Sequence, residues 1–318
     1  MKIWGIQSGV SELDEQIQSL GKEFGGSFDF KSAALKPIWQ HVATVFGYTH
    51  ASFFEYGAEE MVPPWPDIVI NAHPSTTAIA LIIKQRSQNK SFLINLHKLD
   101  VLSRRFDLVI APEHEKVHGN NVITTVGYLT DIKAEKLIKK NYASALSHLP
   151  TPQIFVLGGT KTQPLIFDED ELSKIAKDFC MLRQTCAGSL VIAQTIDPDH
   201  RLVTAIEQIS GIAPLIHNQD HSLKGAFAWA DIIVCLGDDF SAISKACSSG
   251  KTVLHYQINR TSPTGFAEFY QKLRSMNMIA TLHDGLQQAT YSPLREAERV
   301  ASHICQRLHQ KHKVNVLL

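Results

Sequence analysis

The sequence lacks an excess of either charge, and this absence excludes whole classes of function. Its 318 residues include 31 Lys and Arg and 31 Asp and Glu, so the formal net charge is zero. Nucleic-acid-binding domains usually carry a basic excess. We therefore expect no nucleic-acid partner, and any bound anion must be held by local side chains and backbone N–H groups.

Cysteine is also scarce, and long hydrophobic runs are missing. The five cysteines form no C-x-x-C pair, and an odd set without metal or redox spacing indicates buried free thiols in a reducing compartment. The longest apolar stretches, residues 78–83 and 232–236, fall far short of the ~18 residues that span a bilayer. The sequence therefore predicts a cytoplasmic protein with no transmembrane segment.

The chain does contain enough apolar material for large cores. It is 44% hydrophobic and about twice as long as an average domain of ~150 residues. Short Val- and Ile-rich runs alternate with helical patterns, and runs such as 231–237 (DIIVCLG) lack polar alternation, as is typical of parallel strands covered on both faces. The predicted strands cover residues 2–7, 67–72, 91–96, 106–111, 121–126, 153–157, 190–194, 214–217, 231–236 and 252–256. The predicted helices cover residues 11–24, 75–86, 169–186, 199–209, 221–229, 240–248 and 293–311.

This alternation predicts an α/β fold with two Rossmann-like, doubly wound parallel-sheet domains facing a cleft. The sequence Leu-Pro-Thr-Pro at 149–152 interrupts a helical pattern and marks the boundary. The predicted domains are an N-terminal domain at 1–149, a C-terminal domain at 150–290 and a terminal helix at 291–318.

The terminal helix has an apolar stripe that needs a partner surface. Its members repeat at spacings of three and four and are Leu294, Ala297, Val300, Ala301, Ile304 and Leu308. We expect the stripe to dock on the first domain, because Glu296 and Glu298 dilute the basic end of the helix. Peripheral contact with a membrane is the alternative.

Two histidine clusters invite a metal interpretation. His114-Glu115-Lys116-Val117-His118 matches H-E-x-x-H, but the match directly follows a strand and meets Gly119 at once, leaving barely a turn for the helix that a zinc peptidase needs. His217, Asp220 and His221 are explained equally well by a strand end, a loop and a helix cap. We predict no metal site.

Two turns of the second domain are better candidates for ligand binding. Gly158, Gly159, Thr160 and Lys161 follow a predicted strand, where backbone N–H groups, a hydroxyl and a cation suit phosphate. The turn lacks the Walker A pattern, and a plain tight turn explains it as well. The second turn, 237–241, contains Asp238 and Asp239 ahead of Ser241 and Lys245, and there helix capping is the alternative.

The segment 106–115 (Phe-Asp-Leu-Val-Ile-Ala-Pro-Glu-His-Glu) and its continuation to Gly127 resemble the mitochondrial-fission family named for plant mutants with elongated mitochondria, in its bacterial branch. Further parts that resemble the family are 152–159, Phe167, 230–231, Asp238, 241–246 and 250–253. The family is similar to GT-B glycosyltransferases. The resemblance implies a nucleotide-sugar donor on the second domain, no tightly bound cofactor, and a terminal helix that returns to the first domain.

The resemblance implies a glycosyltransferase-like enzyme that binds a nucleotide or nucleotide-sugar in the inter-domain cleft and transfers a sugar to an acceptor on the first domain. The donor site would comprise Gly158, Gly159, Thr160, Lys161, Asp238, Asp239, Ser241 and Lys245. His114, at a strand end of the first domain, is the predicted general base, because an imidazole accepts a proton near neutral pH.

The chain also departs from the family pattern. Of the family's Gly-His-x-x-Gln signature only Gln16 is present, and 194–198 (Gln-Thr-Ile-Asp-Pro) replaces Ser-Arg-Arg-Thr-Pro. The family's Asp-Ser and Glu-Ala become Asp238-Asp239 and Lys245-Ala246. The loss of two arginines and an acid leaves open a non-catalytic interaction or membrane-associated protein on the same scaffold. The sequence does not identify the acceptor, the sugar or the oligomeric state.

Overall fold

The computed structural model describes residues 1–37, 53–99, 103–133, 139, 142–158, 168–194, 201, 204–205, 207–208, 223–258, 263–282 and 290–316. Several predictions lie outside these residues. They concern the strand at 214–217, most of the helix at 199–209, the turn residues Gly159, Thr160 and Lys161, and the cluster of His217, Asp220 and His221.

The chain divides into two units, residues 1–131 with 295–318 and residues 132–294. These units are defined by contacts within the chain, and the domain limits at 149 and 290 remain predictions. The first unit contains β1 (Lys2–Ile6), α1 (Ser11–Glu23), β2 (Ser27–Lys31), β3 (Ala34–Leu35), β4 (Phe54–Tyr56), β5 (Ile68–Asn71), α2 (Pro74–Arg86), β6 (Phe92–Leu96), β7 (Leu108–Pro112) and β8 (Val122–Thr125).

The first sheet has the order β2-β1-β5-β6-β7-β8, and every pairing in it is parallel. Successive side chains of each strand enter opposite cores, as the pleat requires. Ile3 and Ile68 face a core that contains Ile17 of α1, whereas Trp4 and Val69 face a second core made largely by α2. Both faces are therefore buried, which is why these strands lack polar alternation.

Two glycines let α1 approach this sheet closely. A Cβ on Gly5 would collide with Ile17, and one on Gly21 would collide with the ring of Phe28. The absence of these two methyl groups sets the distance between α1 and strands β1 and β2.

The second unit contains α3 (Ala143–Leu146), β9 (Gln153–Gly158), α4 (Glu169–Cys186), β10 (Ser189–Gln194), α5 (Leu223–Trp229), β11 (Ile232–Leu236), α6 (Phe240–Ser248), β12 (Thr252–Tyr256), α7 (Phe266–Ser275) and β13 (Ala280–Thr281). Its described strands pair in parallel in the order β10-β9-β11-β12-β13. Its main core packs Phe179 and Leu182 of α4 against Ile154, Val234 and neighbouring strand residues.

The last helix, α8 (Glu296–Val316), belongs to the first unit. Ala297, Val300, Ala301 and Ile304 are at most 3% exposed and lie in the core that α1 shares. Four members of the apolar stripe therefore cover the same face of the sheet as α1, and Leu308 packs at the edge of that core. The remaining member, Leu294, lies in the second unit, where its N–H donates to the carbonyl of Cys247 at 3.3 Å.

Polar contacts fix the first turn of α8 to the end of β8. Glu296 accepts hydrogen bonds from the backbone N–H of Val126 at 3.1 Å and from Arg299 at 2.6 Å, and Arg299 also donates to the carbonyl of Thr124 at 2.6 Å. The hydrogen bonds with Glu296 raise the pKa of the Arg299 guanidinium. Glu296, which the sequence analysis considered only for its negative charge, therefore holds the start of α8 through hydrogen bonds.

The sequence analysis did not predict some of the strands and helices described above. Strand β2 alternates polar and aromatic residues because it lies at the edge of its sheet, and its burial is only partial. Helix α7 was missed as well, although it buries Phe266, Phe269 and Leu273 at helical spacing. Strands β3, β4 and β13 have two or three residues each, too few for a periodic pattern.

The cysteines form no disulfide, and two of them are core residues. Cys235 of β11 and Cys247 of α6 are fully buried, and burial raises the pKa of both thiols. Cys180, Cys186 and Cys305 are half-buried. Among the described residues, no helix is long and apolar enough to cross a membrane.

We expect the Ile304→Ala substitution to lower the free energy of unfolding by about 2 to 5 kcal/mol, because it removes buried methyl and methylene groups and leaves a cavity between α8 and α1. The neighbouring exposed substitution His303→Ala should change it by less than about 0.5 kcal/mol. Urea unfolding followed by circular dichroism measures both values. Equal stability of the two variants would contradict the packing of α8 described above.

Candidate functional site

The carboxyl ends of β9 and β11 form the point in the second sheet where the strand order reverses. The chain leaves β9 toward β10 on one side and later enters β11 on the other side. The two strands pair in register, with Gly158 opposite Leu236. In open α/β sheets, ligands bind outside the strand ends at such a switch point, and both predicted turns begin here.

The structure describes only part of the first turn. Gly158 is the last residue of β9, and Gly159, Thr160 and Lys161 lie outside the described residues. On the β11 side, Gly237 adopts a φ of +70°, which favours glycine, and its N–H donates to the carbonyl of Tyr256 at 2.9 Å. This bond fixes the direction in which the chain leaves the sheet toward Asp238.

Asp239 is the N-cap of α6. One carboxylate oxygen accepts hydrogen bonds from the N–H groups of Ser241 and Ala242, both at 2.9 Å, and Asp239 is 5% exposed. Ser241 is buried as well, and Lys245, one turn further along α6, is partly exposed. The first N–H groups of this helix are thus occupied by the chain's own carboxylate, although they would otherwise suit an anion.

Asp238 is held by a histidine that the sequence analysis did not select. Nε2 of His255, on β12, lies 3.1 Å from a carboxylate oxygen of Asp238 and 3.2 Å from the carbonyl oxygen of Gly237. His255 is 4% exposed, and its ring packs against Phe266 and Tyr270 at centroid distances of 5.5 and 5.0 Å. The carboxylate of Asp238 is therefore fixed at the strand ends by a buried imidazole.

The first sheet has a second cluster of polar residues at its own carboxyl edge. His97 follows β6, and its Nδ1 lies 2.6 Å from one carboxylate oxygen of Glu115, which follows β7. The other oxygen of Glu115 accepts a hydrogen bond from the backbone N–H of Lys98, also at 2.6 Å. The side chains of His97 and Glu115 are 15% and 17% exposed, so this pair is largely shielded from water.

The other ring nitrogen of His97 has a different environment. Nε2 is buried and makes no hydrogen bond within the described part of the chain. Leaving a buried polar atom without a partner costs about 1 to 3 kcal/mol, so such atoms call for an explanation. His97 also has a φ of +68°, a left-handed conformation that is uncommon for any residue other than glycine.

A buried asparagine network supports this backbone conformation. Asn95, in β6, donates from Nδ2 to the carbonyls of Leu96 at 2.8 Å and of His97 at 3.0 Å. Its Oδ1 accepts a hydrogen bond from Asn71 of β5 at 2.7 Å, and Oδ1 of Asn71 accepts one from Thr76 at 2.6 Å. The N–H of His97 donates to the carbonyl of the neighbouring strand β7, so both sides of this residue are fixed.

His114, the predicted general base, directly precedes Glu115 and lies near the same tyrosine ring as His97. It is the middle residue of a single 3-10 turn, Glu113–Glu115, which ends at Lys116 with a φ of +53°. His114 and His118 therefore share no helix, as the loop interpretation of the H-E-x-x-H match required. The ring of Tyr128 lies 6.2 Å from that of His114 and 5.0 Å, edge to face, from that of His97.

Sequence reasoning pointed to the segment that contains His114 and did not select His97 and Glu115. One signal was available: the otherwise apolar strands β5 and β6 each contain an asparagine, and Asn71 and Asn95 are register partners. Two buried amides at one level of adjacent strands indicate a polar network. No group of three His, Cys, Asp or Glu residues suited to a metal ion occurs in the portion of the chain that the structure describes.

Comparison with known proteins gives a family and a fold. The family model described as "Mitochondrial fission ELM1" matches residues 13–308. A curated relative, the mitochondrial fission protein ELM1 of Arabidopsis thaliana, is 24% identical over 271 residues, which cover 75% of this chain. The chain spans 63% of the length of that relative. These matches confirm the predicted family resemblance.

Two solved structures show the same fold. A UDP-N-acetylglucosamine 2-epimerase matches with a TM-score of 0.57 and 13% identity over 99% of this chain and 96% of its own. The S. aureus MnaA–UDP co-structure matches with a TM-score of 0.50 and 15% identity over 97% of each chain. The prediction of two Rossmann-like parallel-sheet domains of the GT-B type is confirmed.

We expect Asp239→Ala to lower the free energy of unfolding by about 0.5 to 2 kcal/mol, because the N–H groups of Ser241 and Ala242 lose their acceptor. Asp239→Ser is the matched control, since a serine hydroxyl also caps helices, and it should retain most of the stability. Urea unfolding of the three proteins measures the difference. If both variants lose the same free energy, the carboxylate has a role beyond capping.

Proposed function

We propose that the second unit binds a nucleoside diphosphate or a nucleotide-sugar, starting from the premise that the chain belongs to the mitochondrial fission ELM1 family. The GT-B-like fold supports this class of ligand. The site would lie at the carboxyl edge of the second sheet, where the turns after β9 and β11 begin.

One observation carries this proposal: Gly158 and Leu236 are register partners at the switch point of the sheet. The two glycine-containing turns therefore start side by side, where backbone N–H groups come close to a ligand without obstruction from side chains. The co-structure of S. aureus MnaA with UDP, which has the same fold, supports a uridine nucleotide as the first ligand to test.

The residues of the proposed site have different roles. The turn Gly158, Gly159, Thr160 and Lys161 would hold the diphosphate together with Lys245, whereas Asp239 would hold the start of α6 and position Ser241. This division follows from charge: Asp239 already occupies the N–H groups of α6, and a carboxylate repels a phosphate. Asp238, fixed by His255, would accept hydrogen bonds from sugar hydroxyl groups of the ligand.

We propose in addition that the protein transfers the sugar of the bound donor to an acceptor. A GT-B-type transfer needs no tightly bound cofactor, because backbone dipoles and basic side chains can stabilise the departing diphosphate. The acceptor would bind to the first unit, whose carboxyl edge contains His97, Glu115 and His114.

A non-catalytic interaction protein on the same scaffold is the second candidate. It is favoured by the occupied N-terminus of α6, since a helix end capped by its own aspartate is unavailable to a diphosphate. On this hypothesis, the second unit would bind no nucleotide, and the polar strand ends would serve the stability of the fold.

Calorimetric titration with UDP, UDP-N-acetylglucosamine and ADP tests the proposal. We expect binding of at least one of the three, and a 10- to 100-fold weaker affinity for Lys245→Ala, in line with the ~1.5 to 3 kcal/mol of a hydrogen bond to a charged group. Lys272→Ala, in the last turn of α7, is the matched control and should bind as the wild type does. Absence of binding by a folded wild-type protein would favour the non-catalytic candidate.

A further inference from the structure

We propose that His97, and not His114, is the proton-accepting residue of the first unit, and that Glu115 is its positioning residue. The proposed substrate is a neutral hydroxyl compound, whose O–H group donates to Nε2 of His97. This inference deepens the proposed function and rests on it, because the deprotonated hydroxyl would be the acceptor in the sugar transfer.

The imidazole of His97 is oriented by Glu115. A carboxylate can only accept a hydrogen bond, so the 2.6 Å contact with Glu115 places the ring proton on Nδ1. Nε2 of the neutral ring is then a hydrogen-bond acceptor. A carboxylate behind the ring also stabilises the imidazolium that forms when Nε2 takes a proton.

Several hydrogen bonds fix the backbone conformation of His97. The left-handed backbone of His97 is held by its own N–H, by the Asn95 amide on its carbonyl, and by the Asn71–Asn95 bond below. Glu115 is oriented by the N–H of Lys98 as well as by the ring. Strained backbone that the surroundings over-determine is concentrated at functional sites.

The environment of Nε2 of His97 favours a neutral ligand with a hydroxyl group. Nε2 is buried and makes no hydrogen bond within the described residues, so a ligand that supplies an O–H donor gains a hydrogen bond there. A carboxylate ligand would bring lone pairs toward a lone pair and a negative charge toward Glu115. The ring of Tyr128 lies edge to face with the ring of His97 at a centroid distance of 5.0 Å.

The proposed step needs only the donor and the acceptor as reactants. The acceptor oxygen forms a bond to the anomeric carbon of the donor sugar, and its proton passes to Nε2 of His97. The bond between the anomeric carbon and the diphosphate oxygen breaks, and its electron pair leaves with the nucleoside diphosphate. His97 returns its proton to the solvent after the product has left.

The test measures UDP release from UDP-N-acetylglucosamine, with water alone and with glucose, N-acetylglucosamine or glycerol as the acceptor. We expect His97→Gln to lower kcat at least 100-fold with the KM for UDP-N-acetylglucosamine and the affinity for UDP unchanged, since a general base contributes about 10² to 10⁴ in rate. Glu115→Gln should lower kcat about 10-fold at constant KM, and Glu115→Asp, which keeps the carboxylate, should retain more. His303→Gln, on the exposed face of α8, is the matched control.

The outcomes separate this inference from the proposed function. Wild-type kcat in His97→Gln, or a large loss of kcat in His114→Gln alone, overturns the inference while UDP binding stands. A wild-type protein that binds UDP but releases none from the donor with any of the acceptors overturns it too. Absence of UDP binding contradicts the proposed function and this inference together. If His97→Gln melts early, the Glu115→Gln variant decides, because its amide oxygen still accepts a hydrogen bond from Nδ1–H of His97.

Discussion

Burial of both faces of a parallel sheet is the constraint on which the rest of this structure depends. A strand such as β5 (Ile68–Asn71) is fully buried and forms no stable element unless helices cover it above and below. The first sheet meets this requirement with α2 on one face and with α1 and α8 on the other. Because α8 comes from the far end of the chain, the requirement also determines which segments make up each unit.

The same constraint places the polar residues. A sheet that is apolar on both faces can hold functional groups only where its strands end, and the parallel arrangement brings all carboxyl ends to one edge. The first unit positions His97 and Glu115 there, and the second unit positions Asp238 with His255. Each pair joins residues that follow neighbouring strands, or that lie on them, so strand register sets the distance between the partners.

Much of the fold can be predicted from the sequence, because helices and strands are indicated by the local periodicity of apolar residues. Continuous apolar runs gave most strands, whereas β2 escaped because an edge strand alternates polar and apolar residues. The site was harder to predict, since its pairs depend on the register of different strands. His97 and Glu115 are 18 positions apart, and a single 3-10 turn decides that Glu115, not the adjacent His114, meets the ring. Likewise, only the conformation of the turn shows that Asp239 caps a helix.

The contact between α8 and the first sheet has a consequence for biosynthesis. Glu296 and Val126 are 170 positions apart, so the ribosome must complete the whole second unit before the first can bury its last face. The unit at 132–294 is continuous in sequence, so its internal contacts can form as soon as it has emerged. The first unit is therefore completed only after the second, which reverses the usual N-to-C order of domain completion. Until α8 has been synthesised, the area of the first sheet that this helix covers must be shielded from water in another way.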